Sequence, residues 1–231
     1  MAPPTQDHPS HFRQIWKSHP DPTTLPFPKD NPPFNLTTVD WAQLNLTDSQ
    51  YSPHSWENLR HLIGSGQLDE LKRWPSDLKA YLAWSMHVKT QYGSATEYLL
   101  RERLGWVSLP AENVLKFDIK STIPFEHEED YRILGNDWPY GLAEGITHIV
   151  VWLKSPLDAD GEGALTESGR SAVEGFVRRE FRERVGEKDG EEGAMVMWFK
   201  NTKNLQSVRG LEHVHVLVRG LGEEVLGRWM K

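Results

Sequence analysis

The stretch Leu211-Glu212-His213-Val214-His215-Val216-Leu217-Val218 constrains this chain more than any other. Side chains on a β-strand alternate between two faces. Val214, Val216 and Val218 therefore share one face, which is apolar and fit for a core, while Leu211, His213, His215 and Leu217 share the other. Two imidazoles side by side, backed by valines, make a candidate reactive surface. One histidine can attack phosphorus while the other donates hydrogen bonds to the phosphate or leaving group. Alternatively both bind a metal through neutral nitrogens, with further ligands from elsewhere. The plainest reading is a pair of partly exposed strand histidines without a task.

The surrounding pattern predicts the partners of that strand. His148-Ile149-Val150-Val151-Trp152-Leu153 is a nearly continuous apolar run rich in β-branched residues, as in a buried strand. Tyr131 to Leu134, Met195 to Phe199 and Val114 to Asp118 are shorter strand candidates. A helix is expected from Thr166 to Val185, where Val173, Val177, Phe181 and Val185 recur every four residues and Gly186 follows as a stop. Glu223 to Trp229 predicts one more helix. The acidic runs Glu128-Glu129-Asp130 and Glu187 to Glu192 read as solvated turns or loops.

Upstream, residues 54 to 105 read as helices. Pro75 suits a first turn, Leu78, Leu82 and Met86 fall on one side, and Gly93 is a suitable stop. Ser94-Ala95-Thr96-Glu97 matches a capping box before Leu99, Leu100 and Leu104. These helices are expected to be scaffold. Nine of the fifteen prolines lie within the first 33 residues, which predicts an extended arm; its Phe12, Ile15, Trp16 and Phe27 suit a segment wrapped on the domain. The expected organisation is an arm over 1–50, a helical subdomain over 51–108 and an α+β domain over 109–231.

Composition narrows the function classes. Ten tryptophans supply a large core, since each aromatic buries ~150–250 Å². The formal net charge is -7, and no Lys/Arg run forms a basic stripe, which argues against a duplex nucleic-acid partner. The absence of cysteine excludes disulfides, thiolate zinc ligands and a cysteine nucleophile. No stretch approaches the ~20 apolar residues of a membrane helix, and the proline-rich start lacks an apolar signal region. A cytoplasmic or nuclear protein without a membrane partner is expected.

Before the histidine strand, Trp198-Phe199-Lys200-Asn201 leaves a strand and Asn204-Leu205-Gln206-Ser207-Val208 forms a polar loop. Such a loop aims amides, a hydroxyl and an ammonium at a phosphate-like oxyanion. Gln206-Ser207-Val208 followed by His213-Val214-His215-Val216-Leu217 resembles the signature of the histidine-triad superfamily of nucleotide hydrolases and transferases. Ile123-Pro124-Phe125, Tyr131 to Leu134, Asn136-Asp137-Trp138-Pro139 and His148 to Lys154 extend the resemblance over residues 113 to 220. It implies an α+β fold, a histidine-triad-like antiparallel sheet with a crossing helix. It further implies His213 as nucleophile, with His215, Gln206, Ser207 and Lys200 on the phosphate oxygens. Asn136 and Asp137 would reach ribose hydroxyls, with His148 and Asn201 nearby, and no cofactor or metal is needed. The superfamily's first signature histidine falls on Leu211, so this chain has a reduced His-x-His core.

The chain also resembles a fungal group, the N-acetylglucosamine-induced proteins, whose domain carries no assigned function. The shared segments are Trp74-Pro75-Ser76-Asp77-Leu78, Tyr92-Gly93-Ser94, Arg103-Leu104-Gly105-Trp106, Asn136 to Gly141, and Trp198 to Asn201 with Leu205 to Val208. The expectation is phosphoryl or nucleotidyl hydrolase or transferase chemistry on a nucleotide or sugar nucleotide. Its alternatives are a non-catalytic binding module for the same ligands and a metal site on His213 and His215, with or without His148.

Overall fold

The structure is a computed structural model that describes residues 24–110, 115–188, 191 and 193–229. Its centre is a four-stranded antiparallel sheet in the order β1-β2-β4-β3, formed by β1 (Tyr131–Gly135), β2 (Ile146–Leu153), β3 (Val196–Phe199) and β4 (Glu212–Arg219). All three pairings are antiparallel, and β4 lies inside the sheet between β2 and β3. The continuous apolar character of β2 and β4 follows from this position, because both strands are covered on both faces.

The valine face packs as expected. Ile149, Val151 and Leu153 of β2 join Val214, Val216 and Val218 of β4 against Val173, Phe176, Val177 and Phe181. Those last residues belong to a helix over Glu167–Val177 that continues through a π-helical stretch, Arg178–Arg182, into Glu183–Val185. An α-helix turns every ~3.6 residues, so a strict four-residue apolar repeat drifts off one face. The wider π turn absorbs that drift. Val173, Val177 and Phe181 stay fully buried, and Gly186 ends the segment in the left-handed region at φ 75°. A C-terminal helix, Glu223–Trp229, closes this core with Trp229.

The opposite face of the sheet is also roofed. Among the described residues four α-helices precede the sheet in sequence: α1 (Thr38–Leu44), α2 (Trp56–Gly64), α3 (Pro75–Tyr92) and α4 (Ala95–Tyr98), the last running into a π-helical turn at Leu99–Leu104. Trp84, Val88, Leu99 and Leu100 pack on Val150, Trp152 and Leu211, while Trp56, Leu59 and Leu62 pack on Met197, Phe199 and Leu217. Pro75 sits in the first turn of α3, as the sequence predicts, and Ser94 caps α4 by accepting from the Glu97 amide, while the Glu97 carboxylate turns to Arg101 instead of completing the expected capping box. The molecule is therefore three layers, helix, sheet and helices.

Several expectations need correction. The segment 1–50 holds a helix, α1, capped reciprocally by Thr37 and Asp40, and Phe27 packs with Leu44, Leu78 and Leu82. Phe12, Ile15 and Trp16 lie outside the described residues. Of the strand proposed at Val114 to Asp118, Val114 lies outside them too, and the rest makes only an isolated bridge from Lys116 to Leu109. The acidic runs are not wholly solvated. Asp130 is buried and accepts from the amides of Lys120 and Ser121. Glu187 is buried as well, accepting from the Gly193, Met195 and Val196 amides and pairing with Arg182 at 3.2 Å. Each carboxylate offsets its desolvation by collecting several donors.

Candidate functional site

Strand register brings three histidines together. On β4, His213 lies opposite Trp152 and His215 lies opposite both Val150 and Phe199, whereas His148 on β2 faces Leu217. His148 is thus a diagonal same-face neighbour of His215, within reach of a ring-to-ring contact. The rings of His213 and His215 are 5.2 Å apart and those of His148 and His215 are 5.1 Å apart. The helical layer covers all three, leaving His213 and His148 4% exposed and His215 7%. The expected open reactive surface is a buried one.

Burial dictates their charge. Loss of solvation pushes all three pKa values down, His148 to about 3, with the Arg73 guanidinium adding to the effect at His148 and His215. All three are neutral near pH 7, so each ring has one donor nitrogen and one acceptor nitrogen. His213 Nδ1 donates to the Leu211 carbonyl at 2.8 Å, which leaves the lone pair on Nε2. The other two rings form a chain. Asn136 Nδ2 lies 3.2–3.3 Å from the two His148 nitrogens, His148 Nε2 is 3.0 Å from His215 Nδ1, and His215 Nε2 is 3.3 Å from Asn201 Nδ2. Tyr140 stacks on His148 at 5.2 Å and accepts from Asn201 Nδ2 through its hydroxyl at 3.3 Å.

His213 and His215 border a cavity of about 120 Å³ between the sheet and the helical layer. Trp84, Leu99, Val150, Trp152 and Val208 line it with apolar groups, and Arg73, Asn136, Asp137, Tyr140, Asn201, Ser207, His213 and His215 with polar ones. Asn201 Oδ1 is buried and accepts no hydrogen bond among the described residues. Asn201 itself is 4% exposed, so this acceptor is costly unless a cavity occupant donates to it. Among the described residues no group of three or more His, Cys, Asp or Glu side chains is set to hold a metal ion. His148 and His215 point nitrogens at one another rather than at a common centre.

The sequence-derived candidates divide. His213, His215, Asn136, Asp137, Asn201 and Ser207 line the cavity. His148 stands behind His215 and reaches the cavity through it. Asn136 is committed to His148 and to the Trp138 amide, which its Oδ1 accepts at 2.9 Å. Asp137 takes a two-pronged ion pair from Arg103 at 2.9 and 3.0 Å. Lys200 does not line the cavity; it binds Glu212 at 3.2 Å and donates to the Gly163 carbonyl at 3.1 Å. Gln206 is also outside the lining and donates to the Asn201 carbonyl at 2.9 Å, fixing the loop. Arg73, Tyr81 and Trp84 also line the cavity, and nothing local in the sequence marks them, because Tyr81 and Trp84 lie on a helix read as scaffold and Arg73 lies just before it.

Residues 55–219 match a family model described as protein of unknown function, DUF3605. The chain belongs to this family. A relative in Candida albicans, N-acetylglucosamine-induced protein 1, is 26% identical over 184 residues, covering 74% of this chain and 70% of that protein. This bears out the resemblance to the fungal N-acetylglucosamine-induced proteins. An uncharacterized protein of Saccharomyces cerevisiae is 30% identical over 164 residues, 71% of this chain and 77% of its own length. Among solved structures, the crystal structure of HTC1 superposes with a TM-score of 0.59 at 25% identity, covering 75% of this chain and 91% of HTC1. The α+β architecture of this DUF3605 protein is thus shared with a solved fold. Among its described residues no helix is long and apolar enough to cross a membrane.

Proposed function

We propose that this protein carries out phosphoryl or nucleotidyl transfer, to water or to another acceptor, on a nucleotide or sugar nucleotide, with His213 as the nucleophile. The observation that carries the reading is the His213 ring. It is neutral, it lines the cavity, and its Nδ1 is tied to the Leu211 carbonyl, so Nε2 holds a fixed lone pair. Nε2 forms a bond to phosphorus as the bond from phosphorus to the leaving oxygen breaks. The electron pair goes to that oxygen, which takes a proton from solvent. Water or another acceptor then attacks phosphorus, the N–P bond returns its pair to Nε2, and the acceptor loses its proton. His215, Asn201 and Ser207 line the same cavity, which supports assigning them to the phosphate oxygens.

The second reading is a binding module that holds such a ligand without turnover. Two observations favour it. Leu211 stands where the resemblance expects a histidine and is itself buried, and the cavity is well below the ~300–1,000 Å³ of pockets that enclose drug-sized ligands. Incubating wild type and His213→Ala with ADP, UDP and UDP-glucose, then separating the products, decides between them. Cleavage by wild type alone supports the enzyme; thermal stabilisation by these compounds with no cleavage supports the module.

A further inference from the structure

The polar end of the cavity contains a cation that the catalytic reading leaves without a task. Arg73 precedes α3 and lies over the Tyr81 ring at 4.5 Å, with the Tyr140 ring 5.6 Å away on the cavity wall. Its Nε donates to the Trp138 carbonyl at 3.2 Å, so ring and backbone together hold the side chain in place. Asp137 is the carboxylate in the lining, and Arg103 engages both its oxygens. No ion pair joins Arg73 to an acidic side chain among the described residues. A positioned, half-buried guanidinium of this kind is an anion receptor, since its planar fork matches phosphate oxygens.

Its placement relative to His213 gives the chemistry. Tyr140 lies beside Arg73, His215 is 6.4 Å from Tyr140, and His213 is 5.2 Å beyond His215. Ring neighbours thus lead from Arg73 through Tyr140 and His215 to His213, and all four side chains line the same cavity. The charge of Arg73 is felt by His148 and His215, whereas His213 responds to Glu212 and Lys200. Arg73 and His213 are separate groups of the cavity lining, so each can take a different phosphate of one ligand. The cavity has room for on the order of ten water-sized groups, at ~10–15 Å³ each, which suits a diphosphate and leaves the remainder of a nucleotide outside.

We infer that Arg73 anchors a second anionic group, so that the site takes diphosphate-linked compounds in preference to phosphomonoesters. This rests on the reading of the cavity as a phosphate site. Calorimetric titration of the full-length protein with inorganic pyrophosphate and with inorganic phosphate tests it, using wild type, Arg73→Gln and Arg73→Lys. Pyrophosphate is expected to bind more tightly than phosphate. Arg73→Gln is expected to lose roughly ten- to a hundredfold of the pyrophosphate affinity, the range of a hydrogen bond to a charged group, with little effect on phosphate. Arg73→Lys, which keeps the charge but not the fork, falls between and serves alone if the glutamine variant does not fold. Equal pyrophosphate affinity in wild type and the foldable variant overturns the inference. UDP-glucose cleavage, followed in parallel, separates the two ideas. His213-dependent cleavage with Arg73-independent pyrophosphate binding sinks the anchor and spares the nucleophile; Arg73-dependent binding without cleavage does the reverse.

Discussion

His148 Nε2 and His215 Nδ1 lie 3.0 Å apart, each imidazole serving as the other's hydrogen-bond partner inside a nearly closed space. A neutral ring cannot donate from both nitrogens. The row Asn136, His148, His215, Asn201 therefore has a direction. Asn201 Nδ2 donates to His215 Nε2, so the His215 proton lies on Nδ1 and is donated to His148 Nε2.

Removing His148 should be felt at His215. His148→Ala strands a buried ring nitrogen of His215 and opens space beside Tyr140, so unfolding free energy should fall by about 2–4 kcal/mol. Urea unfolding of the variant and wild type at pH 7.5 measures this. A change within ~0.5 kcal/mol would mean that the contact contributes nothing.

The neutral histidines predict acid sensitivity with a defined sign. Burial lowers their folded pKa values below the ordinary 6.5, so below that pH the unfolded chain binds protons that the folded chain refuses. Their contribution to stability is full above about pH 6.5 and is lost as the pH falls. Three such groups give a slope of up to about 4 kcal/mol per pH unit just below that range. Stability at pH 7.5, 6.5, 6.0 and 5.5 provides the check; a flat profile over this interval contradicts neutral burial.

Asp137 should matter to architecture more than to a ribose. Its paired contacts with Arg103 tie the 136–138 turn to the π-helical end of α4, with side-chain exposures of 26% for Arg103 and 16% for Asp137. Asp137→Asn is expected to cost about 1–3 kcal/mol and to lower the melting temperature. Arg103→Gln should reproduce the loss without touching the cavity lining. Two variants with matching stability losses establish the pair; an Asp137 effect without an Arg103 effect argues for a ligand role.

Glu187 supplies a control far from the histidines. It collects three backbone amides and Arg182 beneath β3, so Glu187→Ala leaves Arg182 buried without it and should cost about 3–5 kcal/mol. Thermal unfolding reads this directly, and ligand binding measured well below the lowered transition should be unchanged.

The strands and the long helix were legible because their signals are local. Alternation around Val214 and Val216 places one set of side chains on each face whatever covers them. The four-residue repeat through Phe181 marked the helix, although its π turn was not foreseen. The sheet order was not legible, nor was the depth of the histidines, because both depend on where the helices before residue 108 come to rest. For the same reason Arg73 carried no local signal: it reads as an ordinary residue ahead of Trp74-Pro75 until α3 is laid across β2 and β4. Asp130 and Glu187 were misjudged because an acidic run looks solvated in sequence, while a single member of each run turns inward to cap backbone amides.

The central claim is that His213 Nε2 bonds to phosphorus. Full-length protein mixed with UDP-glucose or ADP, quenched in alkali within the first turnover and weighed intact, tests it most directly. The account predicts an added phosphoryl or nucleotidyl mass that is labile to acid, maps to the peptide containing His213, and is absent from His213→Ala. Turnover of the same compounds by His213→Ala at the wild-type rate, or an adduct on another residue, would contradict it.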